Sequence, residues 1–374
     1  MDVGIVGSGI FGLAAALELR ARGHEVTVFD RGTVPYEKAS STDTSKTIRR
    51  LYGDNETYVA LVERAAPKWQ AWQERLGDAF YFHTGQIQIE RSFQPGRRIY
   101  ESWQYLQSRG ELELLSPEEA SARFPWFRYE AGDTVVVDPW GGYLASGQAV
   151  EGLARLARAD GVVLREETPV QAVDDGASGV RLVLEGESDR FDRVIVAAGV
   201  WLTRLVPPIG RQIRPTFQEM AFFAPRDPDS FALATMPVWG VCPEDEGWYG
   251  HPLRREGLVK VANDLRGPVV DPDVERQATP AFVEAAQEFV ARRIPGLAPE
   301  KVRGTRACLY ENTPDRHFVI DWLPGSQRVL VAGGGSGHGF KFGGSIGEVI
   351  ADALEAKANS LGNLFRIGRR FAEH

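Results

Sequence analysis

This sequence has little cysteine, no long apolar run and no surplus of basic residues. Its 374 residues include two cysteines, Cys242 and Cys308. Two widely separated cysteines cannot form a disulfide framework and favour a reducing compartment, so we expect a cytoplasmic protein. The most apolar stretch, residues 4–19, is too short and too interrupted by glycine to span a bilayer, and it lacks the basic leader of a signal peptide.

The charge balance excludes a further class of partner. Acidic residues outnumber basic ones, 51 to 43, and the formal net charge is -8. Because the two signs are interspersed along the chain, no basic face is offered to nucleic acid or to anionic lipid. We therefore expect a small molecule as the partner, with no nucleic acid, no membrane and no metal ion, and we expect a monomer.

What the chain does contain is enough apolar material for a large core. At 374 residues and 43% hydrophobic content, two intertwined domains are expected rather than one. Apolar and polar residues alternate across residues 80–90, and this pattern predicts one strand. Helical spacing predicts a helix whose core-facing stripe is Tyr58, Leu61, Val62, Ala65, Trp69 and Trp72.

A glycine motif opens the chain in the context that dinucleotide binding requires. An apolar strand at residues 3–6 leads into Gly7-Ser8-Gly9-Ile10-Phe11-Gly12 and a helical run, and the next strand ends at Asp30. Gly7 suits the tight turn, Gly9 the close approach of backbone to pyrophosphate, and Gly12 the packing of helix on strand. The pyrophosphate would lie at the helix N-terminus, and Asp30 would bind the ribose hydroxyls.

This motif alone does not separate FAD from NAD, so an NAD-linked dehydrogenase is one alternative. No second Gly-x-Gly-x-x-Gly follows a strand anywhere else in the sequence. Flavin reductases and monooxygenases that draw electrons from NADPH usually carry such a second motif. We therefore expect the electrons to come from an organic substrate and to leave to oxygen or another external acceptor.

Two later segments carry the most specific pattern. They are Cys308-Leu309-Tyr310, followed by Thr313-Pro314-Asp315, and Ser336-Gly337-His338-Gly339-Phe340-Lys341-Phe342. Together they resemble the monomeric sarcosine oxidase and N-methyltryptophan oxidase family, FAD-dependent amine oxidoreductases of the D-amino acid oxidase superfamily. The resemblance covers nearly the whole chain. It implies an α/β fold in which a FAD-binding Rossmann-like domain is interleaved with an α+β substrate domain built on a mixed or antiparallel sheet.

The same resemblance implies domain limits and a reaction. We assign residues 1–80, 145–215 and 302–374 to the FAD-binding domain, and residues 81–144 and 216–301 to the substrate-binding domain. The expected enzyme oxidises a secondary amino acid such as sarcosine, an N-alkyl amino acid or a cyclic imino acid. Hydride would pass from carbon to flavin N5, the imine would hydrolyse, and oxygen would become hydrogen peroxide. Two alternatives remain: a dehydrogenase that uses a quinone or protein acceptor, and a FAD-binding subunit without catalysis.

The resemblance also implies roles for single side chains. Cys308 matches the cysteine that holds the flavin as a thioether, while Cys242 has no such context. Arg49 and Lys341 match the two cations that hold the substrate carboxylate, a pairing that fixes one end of an amino acid. Arg50 is the alternative to Arg49 if the alignment slips by one residue.

A third cation, Lys260, matches a lysine that lies over flavin N5 and promotes the reaction with oxygen. A preplaced cation lowers that barrier because superoxide is negatively charged as it forms. Tyr249 and Tyr310 would line the same pocket. The residues that match cofactor-binding positions are Gly7, Gly9, Ile10, Gly12, Asp30, Arg31, Ser41, Thr42, Val170, Ala198, Gly199, Cys308, Gly337, Gly339, Phe340 and Lys341.

The sequence departs from the family pattern at positions near the flavin. Ser41 and Thr42 replace paired histidines, Lys46 replaces an arginine, and Asp264 replaces a histidine that polarises the substrate amine. An acid beside the amine favours the protonated amine, which cannot lose hydride, unless the carboxylate accepts the proton or pairs with a cationic substituent. We therefore expect a substrate larger or more polar than sarcosine.

Overall fold

A computed structural model describes residues 1–210, 212–242, 247–254, 256–265, 267–297, 301–357, 361 and 363–369. Its strands, in chain order, are β1 (Asp2–Val6), β2 (Glu25–Phe29), β3 (Lys46–Ile48), β4 (Tyr81–Phe82), β5 (Gln86–Glu90), β6 (Glu113–Leu115), β7 (Thr134–Asp138), β8 (Gly142–Leu144), β9 (Val163–Arg165), β10 (Ala172–Gly176), β11 (Gly179–Val183), β12 (Ser188–Phe191), β13 (Arg193–Val196), β14 (Arg214–Phe223), β15 (Val238–Cys242), β16 (Trp248–His251), β17 (Val259–Asn263), β18 (Val302–Asn312), β19 (Val319–Trp322) and β20 (Val329–Gly333). Its helices are α1 (Ile10–Ala21), α2 (Glu56–Leu76), α3 (Arg98–Gln107), α4 (Pro117–Arg123), α5 (Ser146–Ala159), α6 (Leu202–Leu205), α7 (Pro280–Arg293) and α8 (Gly343–Leu354).

A six-stranded sheet forms the centre of the nucleotide-binding part. Its strand order is β19-β20-β13-β1-β2-β9, and every pairing is parallel except that of β19 with β20. Helices α1 and α8 cover one face of this sheet, and β11 and β12 pack against the other, which accounts for the apolar character of β1, β13 and β20. Helices α1 and α8 pack closely, and a Cβ at Gly347 would overlap the carbonyl oxygen of Ala14. This contact therefore requires glycine.

An eight-stranded sheet forms the second part and is mostly antiparallel. Its order is β18-β14-β17-β16-β15-β5-β7-β6, with β15 and β5 as the parallel pair. Helix α7 and the segment around Phe127 cover one face, where Phe289 stacks on both Trp239 and Trp248. The expected combination of a Rossmann-like α/β unit with a mixed sheet is confirmed.

The domain limits inferred from the resemblance remain a prediction. Strands of the six-stranded sheet all lie within residues 1–80, 145–215 and 302–374, whereas β18, which starts at residue 302, pairs along its length with β14 of the other sheet. Sheet membership alone does not define a domain, and residues 370–374 lie outside the described part of the chain.

Two local predictions have different outcomes. The predicted helical stripe is confirmed, since α2 buries all six of its members. The single strand predicted for residues 80–90 is wrong, because the segment forms β4 and β5, which belong to different sheets. Gly85 separates them with φ +70°, a left-handed conformation that breaks an extended strand and that glycine adopts without strain.

No helix within the described residues is both long and apolar enough to cross a membrane. Nor do those residues gather three or more histidine, cysteine or acidic side chains in a group that could hold a metal ion.

Candidate active site

The loop between β1 and α1 forms one end of a long cavity. Gly7 has φ +105°, and a Cβ there would overlap the carbonyl oxygen of Ala197 on β13. A Cβ at Gly12 would in turn overlap the carbonyl oxygen of Gly7, so α1 packs against the turn only because position 12 is glycine. The N-cap residue of α1, Gly9, has no side chain that could cap the first turn, and the amide of Ile10 donates to Ser41 Oγ at 3.0 Å. The other amides of the first turn are available to an anion.

Asp30 stands at the end of β2, beside the glycine loop. Its Oδ2 accepts hydrogen bonds from the amide of Ser8 at 2.8 Å and from Ser8 Oγ at 2.6 Å. Its Oδ1 accepts from the amide of Gly32 at 3.1 Å. These bonds fix the carboxylate at the position where the ribose of a dinucleotide lies in this kind of fold.

The cavity behind this loop has a volume of ≈ 340 Å³. The cofactor residues expected from the sequence that line it are Gly7, Gly9, Ile10, Asp30, Arg31, Ser41, Val170, Ala198, Gly199, Gly337, Gly339 and Phe340. Arg31 stacks over Trp201 and pairs with Asp273. A glycine cradle, the N-terminus of a helix and an acid at the end of the next strand bind the pyrophosphate and ribose of a dinucleotide, so the residues present fit FAD.

A second cavity of ≈ 380 Å³ adjoins the first. Both are lined by Lys46, Tyr310, Gly337 and Phe340, so the two spaces share one wall. The catalytic residues expected from the sequence that line the second cavity are Lys46, Arg49, Tyr249, Asp264, Tyr310 and Lys341. Residues that are far apart in sequence, on or directly after β3, β16, β17 and β18 and in the turn before α8, are thus brought together.

Arg49 follows β3 directly and is half-buried at the second cavity. Its Nη1 donates to the carbonyl oxygen of Leu51, and its guanidinium lies 4.6 Å from the centre of the Tyr52 ring. Burial lowers the pKa of Arg49. Arg50 is placed differently: it forms an ion pair with buried Asp138 at 2.6 Å and does not line this cavity.

Lys341 lies in the turn Phe340–Phe342, whose position is fixed by Trp69. The indole N–H of Trp69 donates to the carbonyl oxygen of Lys341 at 2.9 Å, and Lys341 Nζ donates to the carbonyl oxygen of His338 at 2.8 Å. Burial, reinforced by Arg49, holds the pKa of Lys341 well below its usual range. Within the described residues, neither Lys341 nor Arg49 forms an ion pair with a carboxylate.

Lys260 is fully buried on β17 and lines neither cavity. Its Nζ donates to Asp43 Oδ2 at 2.6 Å and to the carbonyl oxygen of Ser45 at 3.1 Å. Lys46 Nζ also donates to Asp43 Oδ2, at 3.0 Å, so one carboxylate serves two lysines. Although burial opposes it, the two ammonium groups hold the pKa of Asp43 well below its usual range. Burial lowers the pKa of Lys260, and Asp43 offsets part of this effect.

Tyr249 and Tyr310 meet above this buried group, with their hydroxyl oxygens 3.4 Å apart. Lys260 Nζ lies 5.6 Å from the centre of the Tyr249 ring. Burial holds the pKa of both phenols well above the usual range, so both stay protonated at neutral pH. Asp264 stands at the mouth of the cavity, where it pairs with Arg316 at 3.4 Å.

Four of the expected site residues do not contribute to the cavity wall. Gly12 packs behind the loop, Thr42 lies beside the wall, and Lys260 and Cys308 are buried beneath it. Cys308 is 4% exposed and packs with Met220, Phe222, Ala262 and Tyr310. Burial raises the pKa of its thiol, while Lys46 acts in the opposite direction. Lys341 lines the second cavity only.

Several residues at the site were not found from the sequence. They are Asp43, Arg98, Glu311, Arg316 and His338. Glu311 lies on the wall of the first cavity: its Oε1 accepts from the amide of Gly335 at 3.1 Å, while its buried Oε2 has no hydrogen-bond partner among the described residues. Burial raises the pKa of Glu311 to about 7. An acid directly after the Cys308-Leu309-Tyr310 pattern was a signal that the sequence offered.

Known proteins resemble this chain along nearly its full length. The family model "FAD dependent oxidoreductase" (DAO) matches residues 2–353. N-methyl-L-tryptophan oxidase of Citrobacter koseri is 29% identical over 364 residues, which make up 96% of this chain and 95% of that protein.

Two solved structures share the fold. NikD, described as an unusual amino acid oxidase essential for nikkomycin biosynthesis, superposes with a TM-score of 0.85 at 23% identity, covering 100% of this chain and 98% of that one. L-proline dehydrogenase from P. horikoshii superposes with a TM-score of 0.85 at 21% identity, covering 98% and 96%. At these identities the two structures bear on the fold alone.

Proposed function

This chain belongs to the family of FAD dependent oxidoreductases, and from that premise we propose that it is an oxidase of a secondary amino acid. Its substrate is a sarcosine-like, N-alkyl or cyclic imino acid, bound in the second cavity. FAD, when bound along the first cavity, supplies the acceptor for a hydride from the substrate carbon and passes the electrons to oxygen. The products are an imine, which hydrolyses, and hydrogen peroxide.

The observation that carries this proposal is the pair of cations on the wall of the second cavity. Arg49 and Lys341 have no carboxylate partner within the described residues, although burial disfavours the charged form of both. A buried cation without a counter-ion is costly, and a substrate carboxylate removes that cost by pairing with both groups. Binding one end of the amino acid directs its remaining atoms toward the wall shared with the first cavity.

The other residues at this wall have supporting roles. Asp264 takes the proton of the substrate amine or pairs with a cationic substituent, since the free amine is the form that can lose hydride. Tyr249 and Tyr310 exclude water beside the reacting carbon. Cys308 holds the cofactor as a thioether. With only two cysteines in the chain, we assign the enzyme to the cytoplasm, as a monomer.

A second candidate keeps the substrate and changes the acceptor. It is a dehydrogenase that passes electrons to a quinone or a carrier protein. The ion pair of Lys260 with Asp43 favours it, because a cation that is matched by a buried carboxylate at 2.6 Å stabilises a forming superoxide less than a free one. Lys46, which shares that carboxylate and does line the cavities, favours the oxidase.

Anaerobic mixing tests the proposal. The purified flavoprotein is mixed with sarcosine, N-methyl amino acids including N-methyltryptophan, pipecolate and proline, and the visible flavin band is followed. Bleaching by one of these, with colour and peroxide returning on admission of air, is the expected result. Bleaching without return in air, but with return on adding a quinone, supports the dehydrogenase. Bound flavin that no amine bleaches contradicts both.

A further inference from the structure

Two arginines on the wall of the second cavity converge on one oxygen atom. The carbonyl oxygen of Leu51 accepts from Arg49 Nη1 at 2.5 Å and from Arg98 Nη1 at 2.8 Å. Two guanidinium groups that share one acceptor lie close enough to repel each other, and Arg98 contributes to lowering the pKa of Arg49. The arrangement is unfavourable unless an anion lies between or beside them.

No carboxylate of the described residues pairs with either of these arginines. Arg50, the neighbour of Arg49, has three acidic partners, Glu63, Glu111 and Asp138. Among the described residues Arg98 has no carboxylate within ion-pair distance, although it lies close enough to buried Glu90 to counteract the rise in the pKa of Glu90 that burial causes. It also begins α3, where the positive end of the helix dipole disfavours a cation. Its guanidinium therefore keeps donors that can bind a further anion.

The charge of the whole wall is unbalanced in the same direction. Within the described residues the second cavity is lined by five basic side chains, Lys46, Arg49, Arg98, Arg316 and Lys341, and by one acidic side chain, Asp264. Lys46 pairs with Asp43, a carboxylate that it shares with Lys260, and Arg316 pairs with Asp264. Three cations thus remain without a partner, while an α-carboxylate binds to two, Arg49 and Lys341, in the function proposed above.

We propose that the substrate carries a second carboxylate in addition to its α-carboxylate, and that Arg98 binds it. This inference rests on the proposed function, since it takes Arg49 and Lys341 as the site of the α-carboxylate. The substrate class is an N-substituted amino dicarboxylic acid, with the second carboxylate on its side chain or on its nitrogen substituent. A guanidinium at the mouth of the cavity, with Gln86 and Gln88 on the adjoining wall, supplies donors for such a group.

The size of the cavity agrees with this class. Its volume of ≈ 380 Å³ falls in the range of roughly 300 to 1,000 Å³ that pockets for drug-sized ligands occupy, so sarcosine would leave most of it to water. Arg98 is exposed to solvent and lines the same cavity as Lys341. A substrate of this class extends to Arg98 while its α-carboxylate is held by Lys341.

Matched pairs of ligands test the inference on the intact flavoprotein. N-methylglutamate and N-methylglutamine differ only in a terminal carboxylate or carboxamide, as do N-methylaspartate and N-methylasparagine, and iminodiacetate is compared with sarcosine. Each is titrated anaerobically, in both enantiomeric forms where these exist. The dissociation constant is read from the perturbation of the flavin absorption band, and the rate of bleaching is recorded separately.

The parent protein is expected to bind at least one dicarboxylate about tenfold or more tightly than its matched amide or monocarboxylate. Arg98→Gln should remove that preference, because it weakens binding of the dicarboxylate and leaves binding of the matched amide or monocarboxylate nearly unchanged. Arg98→Lys should restore part of the preference. Arg97→Gln, at the neighbouring exposed residue that does not line the cavity, is the control for general charge effects and should keep the preference.

Equal affinity for the members of every pair in the parent would overturn the inference. If Arg98→Gln weakened the binding of both ligands of a pair equally, the inference would also be overturned, because Arg98 would then bind the α-carboxylate. The two proposals fail separately: a dicarboxylate that binds tightly but never bleaches the flavin contradicts the oxidase, whereas bleaching by neutral N-methyl amino acids without any dicarboxylate preference contradicts only the assignment of Arg98.

Discussion

Lys260 Nζ and Asp43 Oδ2 lie 2.6 Å apart, and both side chains are almost completely shielded from water. The carboxylate also accepts from Lys46, which reaches the wall of both cavities. The ion pair of Lys260 and Asp43 therefore lies beneath the cavity wall, whereas Lys46 and further cations lie on the wall itself. A change at Asp43 therefore acts on the fold and on the cavity at once.

Asp43→Asn should lower the free energy of unfolding by roughly 3 to 5 kcal/mol, because it leaves Lys260 buried without its counter-ion. Urea denaturation checks this. Asp264→Asn is the matched control: it removes the partner of exposed Arg316 and should cost about 0 to 1 kcal/mol. The double variant Asp43→Asn with Lys260→Met should be destabilised less than the sum of the two single changes. Additive losses would mean that the two side chains do not depend on each other.

Lys260→Met should slow reoxidation of the reduced flavin by oxygen by roughly a hundredfold and leave reduction by substrate nearly unchanged, if the cation stabilises superoxide through the wall. Stopped-flow absorbance measures the two half-reactions separately. Lys301→Met, at an exposed lysine, serves as the control. Equal effects on both half-reactions would remove Lys260 from the oxygen step, and no effect on either would favour an acceptor other than oxygen.

In the parent the flavin should stay attached to the protein after denaturation, and in Cys308→Ala it should be released. Of the interactions that hold the flavin, only the thioether survives acid precipitation. The supernatant of the variant should therefore become yellow, while that of the parent stays colourless. Cys242→Ala should behave like the parent, because Cys242 accepts from Gln88 and lines the second cavity but not the first. Flavin released from the parent as well would show that the link is not formed.

The sequence predicted those parts of the molecule that are specified by a motif or a periodic pattern within one short segment. The glycine loop, Asp30 and the helix after them are specified within thirty residues, and their geometry follows from the space that each glycine leaves. The stripe on α2 was equally clear. The strand predicted for residues 80–90 failed because alternation does not reveal the turn at Gly85, which sends its two halves to different sheets.

The counter-ion of Lys260 was beyond such reasoning. Asp43 and Lys260 are 217 residues apart, and nothing in the segment around Asp43 distinguishes it from an acid in a surface turn. Arg98 did carry a signal that was overlooked, since an arginine in the first turn of a helix opposes the helix dipole. Cys308 was identified by its neighbours, but its position beneath the cavity wall depends on the pairing of β18 with β14.

Lys341→Ala should raise the substrate concentration needed for flavin reduction by a large factor, since removal of one partner of a buried, hydrogen-bonded charge pair costs roughly 2 to 5 kcal/mol. The measurement is the anaerobic rate of bleaching against substrate concentration. Lys357→Ala, at an exposed lysine, should leave it unchanged. Unchanged kinetics of Lys341→Ala would place the substrate carboxylate elsewhere.

Glu311 should make the stability of the flavin-free protein fall as pH rises. Burial raises the pKa of Glu311 in the folded protein to about 7 from its ordinary value of 4.5, so the folded protein retains this proton more strongly than the unfolded chain. The stabilisation is complete below pH 4.5 and is lost as pH rises through about 7.

Glu311→Gln keeps the shape of the side chain and cannot ionise. In a Cys308→Ala background stripped of FAD, it should equal the parent in free energy of unfolding near pH 4.5 and exceed it near pH 8. Urea denaturation across this interval checks the sign, with Glu348→Gln as the control because Glu348 is exposed and pairs with Arg64. A parent and a Glu311→Gln variant that change in parallel with pH would mean that the unpartnered Oε2 of Glu311 is not a site of proton uptake on folding.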